Sequence, residues 1–215
     1  MKVQTFSLIS QKGGAGKSTL VRQLSVLASE DGPAIIIDRD PQGTSTKWWQ
    51  RRQEIDPTLE RPDLLTLEGS DLTRVVGALK NKVGVLFVDT RPAVTEPEAE
   101  AARVADLVLV PIRPSPDDIE AVGDTLKILR RLEKRAVLIV NAARNEARAT
   151  SARAALSRYP IPVCPFYLTD RTAYLDASLE GRGVGEMKGS GAKEATAEIR
   201  KVWDWIKMEA ANHEH

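Results

Sequence analysis

The run QKGGAGKST at positions 11–19 gathers residue types that bind phosphate. Gly13, Gly14 and Gly16 leave the backbone free to turn N–H groups toward phosphate oxygens, and Ala15 adds no bulk between them. Lys17 has the reach and charge for the β- and γ-phosphates of a nucleotide, the Ser18 hydroxyl is placed to ligate Mg²⁺, and Thr19 closes the loop. Such a loop needs a strand to deliver it and a helix to receive it, because the helix N-terminus adds its positive dipole to the site. Both are expected here, an apolar run at 3–9 before the loop and a helical pattern at 20–28 after it.

Further apolar runs rich in β-formers fall at 34–37, 64–67, 83–88, 107–111, 136–140 and 161–165, with helical stretches between most of them. Continuous apolar strands separated by amphipathic segments predict an α/β fold: a doubly wound, mostly parallel sheet with helices on both faces, the architecture of P-loop NTPases. In such sheets ligands lie beyond the carboxyl ends of the strands. The informative polar residues stand at those ends: Asp38 and Asp40 after the second strand, Asp89 after the fourth, Asn141 after the sixth. Magnesium keeps several waters and takes few protein oxygens, which makes Asp40 and Asp89 suitable carboxylates around it. Asp38 either orients a lysine of the loop or caps its strand. The stretch 192–211 predicts a long amphipathic helix with Ile199, Val202, Trp203 and Ile206 on one face, and 211–215 is expected to fray.

At 215 residues the chain suits one sizeable core, so a single domain over 1–215 is expected. No apolar run approaches the roughly 18 residues that span a bilayer, and the start of the chain leaves no room for a cleaved leader, so a cytosolic location is expected. One cysteine, Cys164, excludes an internal disulfide. The two histidines are both among the last three residues, so no soft-ligand metal cluster can form and any metal is held by oxygens. Charge is unevenly spread: residues 89–124 carry nine acidic and three basic side chains, whereas 127–158 carry nine basic and two acidic. The basic stretch is a candidate anion-binding face.

The loop departs from the ordinary G-x-x-x-x-G-K-S/T form, with Gln11 in place of the first glycine and Lys12 after it. Together with IIIDRDPQGTST at 35–46, VLFVDTRP at 85–92 and LVLVPIRPSPDDI at 107–119, this resembles the deviant Walker A ATPases of the ParA/MinD family over essentially the whole chain. The resemblance implies an ATPase with ATP/ADP and Mg²⁺ as cofactors. It implies that Lys12 acts in trans, reaching the partner's phosphates across a nucleotide-sandwich homodimer. It further implies that Asp40 positions the attacking water, that Asp89 contacts Mg²⁺ through water, and that Asn141, Thr169 and Asp170 surround the adenine. Arg91 stands where many relatives have proline or glycine, a departure beside Asp89.

Within the family, cluster-carrying members use two cysteines per subunit, which Cys164 alone does not supply. MinD-like members lay a C-terminal amphipathic helix on the membrane. Here Asp204 and Glu209 interrupt the corresponding face, so packing of Trp203 and Ile206 on the sheet is expected instead and no stable membrane association is expected. The short ParA type is the better match. It implies non-specific DNA binding in the ATP state through Arg171, to which Lys193 and Arg200 are added here because they lead the last helix nearby, release after hydrolysis stimulated by a ParB-like or other cargo adaptor, and nucleoid association when ATP-bound.

Overall fold

The computed structural model describes residues 4–67, 71–79, 84–93 and 95–212. The expected strand starts at 3 and 83, and His213 and His215, lie outside the described residues. Seven strands, β1 (Gln4–Leu8), β2 (Ala34–Asp38), β3 (Asp63–Thr66), β4 (Val85–Asp89), β5 (Leu107–Ile112), β6 (Ala136–Ala143) and β7 (Val163–Thr169), form one sheet in the order β3-β2-β4-β1-β5-β6-β7. Every pairing is parallel. The crossovers carry helices α1 (Lys17–Asp31), α2 (Thr44–Ile55), α3 (Leu72–Leu79), α4 (Glu96–Val104), α5 (Pro116–Arg131), α6 (Glu146–Leu156), α7 (Thr172–Leu179) and α8 (Ser190–Ala211).

Strand side chains alternate faces, and the cores follow that period of two. Phe6, Leu8, Phe87, Leu107 and Leu109 pack under α1, Trp48 of α2, and α8. On the other face Val108, Val110 and Ile112 meet α5 and α6, while Ile35, Ile37, Leu86 and Val88 meet α3 and Ala101 of α4. Both faces are buried, which is why the strands read as continuous apolar runs. In α8, Ile199, Val202, Trp203 and Ile206 all lie in the core, with Trp203 edge-on to Phe6 at 5.5 Å between ring centroids.

The largest differences from the expected boundaries lie in β7, an edge strand, and its neighbour β6. Pro160 and Pro162 lack N–H groups and delay β7, which then runs four residues past its expected end to Thr169. As an edge strand it tolerates Pro165. β6 continues past its expected end through an irregularity at 140–143, where Ala142 has φ 53, so Asn141 sits within the strand rather than after it.

β1 and β4 are neighbours whose following helices leave to opposite faces, making a crevice at their carboxyl ends where a doubly wound sheet binds its ligand. The register pairs Leu8 with Asp89 and Asp38 with Asp89, which sets both aspartates in one row at that crevice.

Candidate nucleotide site

The loop leaves β1 and enters α1 through Gly14 at φ 75 and Gly16 at φ 95, left-handed conformations that favour glycine. At Gly16 the demand is also steric. A Cβ there would stand 1.9 Å from Asn141 Nδ2, because Asn141 lies beneath the loop and donates to the Ala15 carbonyl at 2.8 Å. Asn141, placed at the adenine by the family resemblance, is thus engaged here with the loop backbone.

Lys17 is buried, and the hydrogen bond found for its ammonium is a long one of 3.5 Å to the Ser10 carbonyl. Burial holds its pKa below the ordinary lysine value against the opposing pull of Asp89, Asp40 and Glu98. Asp89 is fully buried, and desolvation raises its carboxyl to about 6, with Asp38 adding to the rise and Ser45, Ser18 and Lys17 opposing it. Its Oδ2 accepts from the Ser45 hydroxyl at 2.7 Å, while Oδ1 is buried without a partner among the described residues. A buried ammonium with one weak partner and an orphaned carboxylate oxygen beside the Ser18 hydroxyl are the complements of an anionic phosphate and a hydrated cation. The residues present therefore fit Mg²⁺ and a nucleoside polyphosphate. Among the described residues no cluster of three or more histidine, cysteine or carboxylate side chains could cage a metal alone.

Asp38 has no hydrogen bond or ion pair with Lys12 among the described residues and instead braces the start of α2. Its Oδ2 accepts from the backbone N–H and hydroxyl of Thr46, both at 2.8 Å, in the first turn of α2, and its Oδ1 accepts from Asp40 N–H at 3.1 Å. Asp40 is thereby hung at the edge of the crevice, with its Oδ1 accepting from Gln42 N–H at 2.9 Å. Lys12 and Gly13 are exposed, and Lys12 has no hydrogen bond or ion pair among the described residues. The Thr19 hydroxyl accepts from buried Arg22 at 3.3 Å.

On the adenine side, the Thr169 N–H and hydroxyl donate to Glu198 of α8 at 3.1 and 2.8 Å, and Asp170 N–H donates to the Ala143 carbonyl. Arg171 is clamped by Glu198 at 2.7 Å and Glu194 at 2.6 Å. Arg200 forms a two-pronged pair with Glu30, and Lys193 is exposed. These carboxylate partners, 23 and 27 positions from Arg171 and 170 from Arg200, carry no local signature. It also did not single out Ser45, a helix-start serine indistinguishable by pattern from its neighbours. The departure at Arg91 resolves as an anchor: Arg91 holds buried Glu98 at 2.9 Å and Thr95 at 2.6 Å, fixing the start of α4 just beyond Asp89. Cys164 is buried and its thiol pushed up to about 12 by desolvation, which leaves it inert. No helix among the described residues is long and apolar enough to cross a membrane.

An all-parallel sheet with a glycine loop, buried lysine and buried carboxylate at its switch point defines a P-loop nucleotide-binding protein. Comparison with known proteins narrows this. The family described as the CobQ/CobB/MinD/ParA nucleotide binding domain matches residues 6–184. The Maintenance of carboxysome distribution protein A of Gloeobacter kilaueensis is 28% identical over 210 residues, covering 91% of this chain and 90% of that protein. Among solved structures, a putative plasmid partition protein of Borrelia burgdorferi bound to AMPPNP superposes with a TM-score of 0.76 at 19% identity, covering 97% of this chain and all of the other. The septum site-determining protein MinD of Pyrococcus horikoshii, complexed with Mg-ADP, gives 0.73 at 17% identity, covering 98% of this chain and 99% of the other. The chain belongs to the ParA/MinD family of deviant Walker A ATPases.

Proposed function

We propose that this chain is a ParA-type positioning ATPase, one domain over its whole length, that binds DNA without sequence preference as an ATP-bound dimer and lets go after adaptor-stimulated hydrolysis. The observation that carries the reading is the division of labour between the two loop lysines. Lys17 is buried opposite the orphaned oxygen of Asp89, where it meets the chain's own nucleotide. Lys12 is exposed and unpartnered among the described residues, free to serve a second copy. In this reading Ser18 ligates Mg²⁺, Asp89 and Asp40 hold its waters, and Asp40 orients the attacking water. Gly13, Gly14, Ala15, Gly16 and Thr19 line the phosphates, and Thr169 and Asp170 close on the base with Asn141.

DNA contact falls to Arg171, Lys193 and Arg200. Arg171 and Arg200 are paired with carboxylates in this structure, so DNA phosphates must displace those partners. The partner is a ParB-like or cargo-specific adaptor, and the protein cycles between cytoplasm and nucleoid. The cargo is a plasmid, a chromosome origin or a protein assembly; similarity to proteins named for carboxysome distribution and for plasmid partition supports a positioning role across such cargoes. The MinD-like alternative, cycling on a membrane, needs a free apolar helix face, and that of α8 is spent in the core.

The test is a titration of fluorescent duplexes of unrelated sequence with ATP, with ADP and without nucleotide, alongside co-sedimentation with anionic vesicles. Binding to DNA only with ATP, at similar affinity for each sequence, is expected. Equal binding in all three states, binding of one sequence only, or ATP-dependent capture by vesicles refutes the reading.

A further inference from the structure

Among the described residues two arginines are buried, and their surroundings differ. Arg52 lies against Glu186, which accepts from both ends of its fork at 2.7 and 2.5 Å. Arg22 has no carboxylate partner among the described residues. Its acceptors are the Ser18 carbonyl at 2.9 Å, the Ser178 hydroxyl at 2.7 Å and the Thr19 hydroxyl at 3.3 Å, all of them neutral. The side chain leaves α1 in its second turn and folds back on the first, so the cation rests near the helix N-terminus and opposes its dipole. Burial pushes its pKa down to about 10 with Arg51 adding to the fall, and Asp89 and Asp38 of the crevice oppose it. Local stability does not select a buried cation in a neutral shell at such a place. A conflict of this kind, without compensation inside the protein, marks a functional position.

The acceptors define what the guanidinium holds. Ser18 and Thr19 belong to the first turn of α1, directly behind the phosphate loop. Because the Thr19 oxygen accepts from Arg22, its hydroxyl proton is turned away from the arginine, and no acceptor takes that proton among the described residues. Ser178, near the end of α7, fixes Nη1 of Arg22, while its own carbonyl accepts from Arg51 Nε and Nη2 at 3.3 and 3.1 Å. That serine therefore ties α1 to α7 and to α2. Both of these helices also start at the site: α2 with Ser45 bonded to Asp89, and α7 just after Thr169 and Asp170. For the fork to turn away from Thr19 it must break with Ser18 and Ser178 together.

We propose that Arg22, latched by Ser178, is a positioning residue for nucleotide binding: it presents the Thr19 hydroxyl as a hydrogen-bond donor to a phosphate of the bound nucleotide. With one hydroxyl between them, that phosphate supplies the negative charge which the arginine's own surroundings lack. Arg22 itself need touch no atom of the nucleotide. Three acceptors in different directions call for a planar fork rather than a point charge, which is why arginine fits here better than lysine. The inference rests on the placement of Thr19 at the phosphates given above.

The experiment measures binding of a fluorescent ADP, and its displacement by adenosine, to wild type, Arg22→Met, Arg22→Lys, Thr19→Val, Ser178→Ala and the double variant Arg22→Met/Thr19→Val. Each is first checked for a native circular dichroism spectrum and melt. Arg22→Met is expected to weaken ADP by about 10-fold, the loss of a charge-assisted contact, and adenosine, which has no phosphate, by less than about twofold. Arg22→Lys should recover part of that loss. Thr19→Val should weaken ADP by about 3- to 10-fold. Since both changes act on one phosphate contact, the double variant should fall short of the product of the single effects by about threefold or more. ADP affinity of Arg22→Met within about twofold of wild type overturns the inference, as does an equal loss of ADP and adenosine, which is the mark of a merely loosened fold. Single effects that multiply in the double variant overturn it while leaving Thr19 at the phosphates. A Thr19→Val variant that binds ADP like wild type removes Thr19 from the phosphates and takes the inference with it. Should Arg22→Met fail to fold, Ser178→Ala decides, since it frees the fork and keeps the charge: ADP weakened by about threefold with adenosine unchanged supports the inference, and unchanged ADP overturns it.

Discussion

Gly16→Ala isolates how the phosphate loop is held. The substitution keeps the loop's charges and adds one methyl at φ 95, where the left-handed backbone costs an L-residue about 1–2 kcal/mol. The methyl would also stand 1.9 Å from Asn141 Nδ2, so the amide must leave and the Ala15 carbonyl loses its donor. An orphaned buried acceptor costs about 1–3 kcal/mol, which brings the total to roughly 2–5 kcal/mol. Asn141→Ala alone loses only the hydrogen bond. In the double variant the methyl finds the space vacated by the amide, so the two changes should be less than additive by about 1–2 kcal/mol. Urea unfolding read by tryptophan fluorescence measures each corner of the cycle, with Trp48, Trp203 and Trp205 buried as reporters. Additivity within about 0.5 kcal/mol, or a Gly16→Ala variant as stable as wild type, would show that Asn141 does not support the loop and refute the steric argument.

Asp40→Ala should bind ATP near normally and lose about 10²- to 10⁴-fold in turnover, as expected when a water-orienting group is removed; turnover within twofold of wild type in a phosphate-release assay removes Asp40 from that role. Asp89, raised to about 6 when the protein is nucleotide-free, holds a proton more tightly folded than unfolded, so its contribution is fully present below about pH 3.9 and is lost as pH rises through about 6. Nucleotide-free Asp89→Asn should therefore unfold later than wild type at pH 7.5 and show a flatter stability profile between pH 4 and 7, while losing Mg²⁺-dependent hydrolysis; a profile that parallels wild type contradicts the burial argument. Glu198→Gln weakens the clamp on Arg171 and should raise DNA affinity several-fold without nucleotide, whereas Arg171→Ala should weaken all duplexes alike and lower the salt slope by about one. Unchanged binding in both variants removes Arg171 from the DNA face.

What was legible in the sequence is what is encoded locally. The loop could be read because its glycines and lysines are consecutive, and the strands because burial on both faces leaves unbroken apolar runs. Asp38 left two readings open because the deciding partner, Thr46, sits eight positions on and offers both its hydroxyl and its backbone N–H. The contacts least legible join distant positions: Ser45 to Asp89, Asn141 to Ala15, Arg171 to Glu194 and Glu198. For Arg171 a positive charge in a family position, and for Arg200 its place near the start of the last helix, suggested free cations, and only the fold reveals the carboxylates that α8 and α1 set against them. Ala142 escaped notice because alanine carries no signature of a left-handed turn; its strain is visible only in the backbone.

The central position of β1 bears on how the protein is made. The strand and its loop leave the ribosome before either of their sheet partners: β1 lies between β4 and β5 and pairs as far as Leu109, about 100 residues later. At about 5–20 residues per second the ribosome needs some 5–20 s to supply those partners. For most of that interval an apolar segment containing Phe6, Leu8 and Ile9 has neither flank of the sheet to pair with, and Asp89 has yet to be joined. The nascent chain therefore has no nucleotide pocket to be stabilised by ATP while it is most exposed to aggregation. Shielding of the β1 segment by the ribosome surface or a holding chaperone matters more for this fold than for one whose consecutive strands pair with each other.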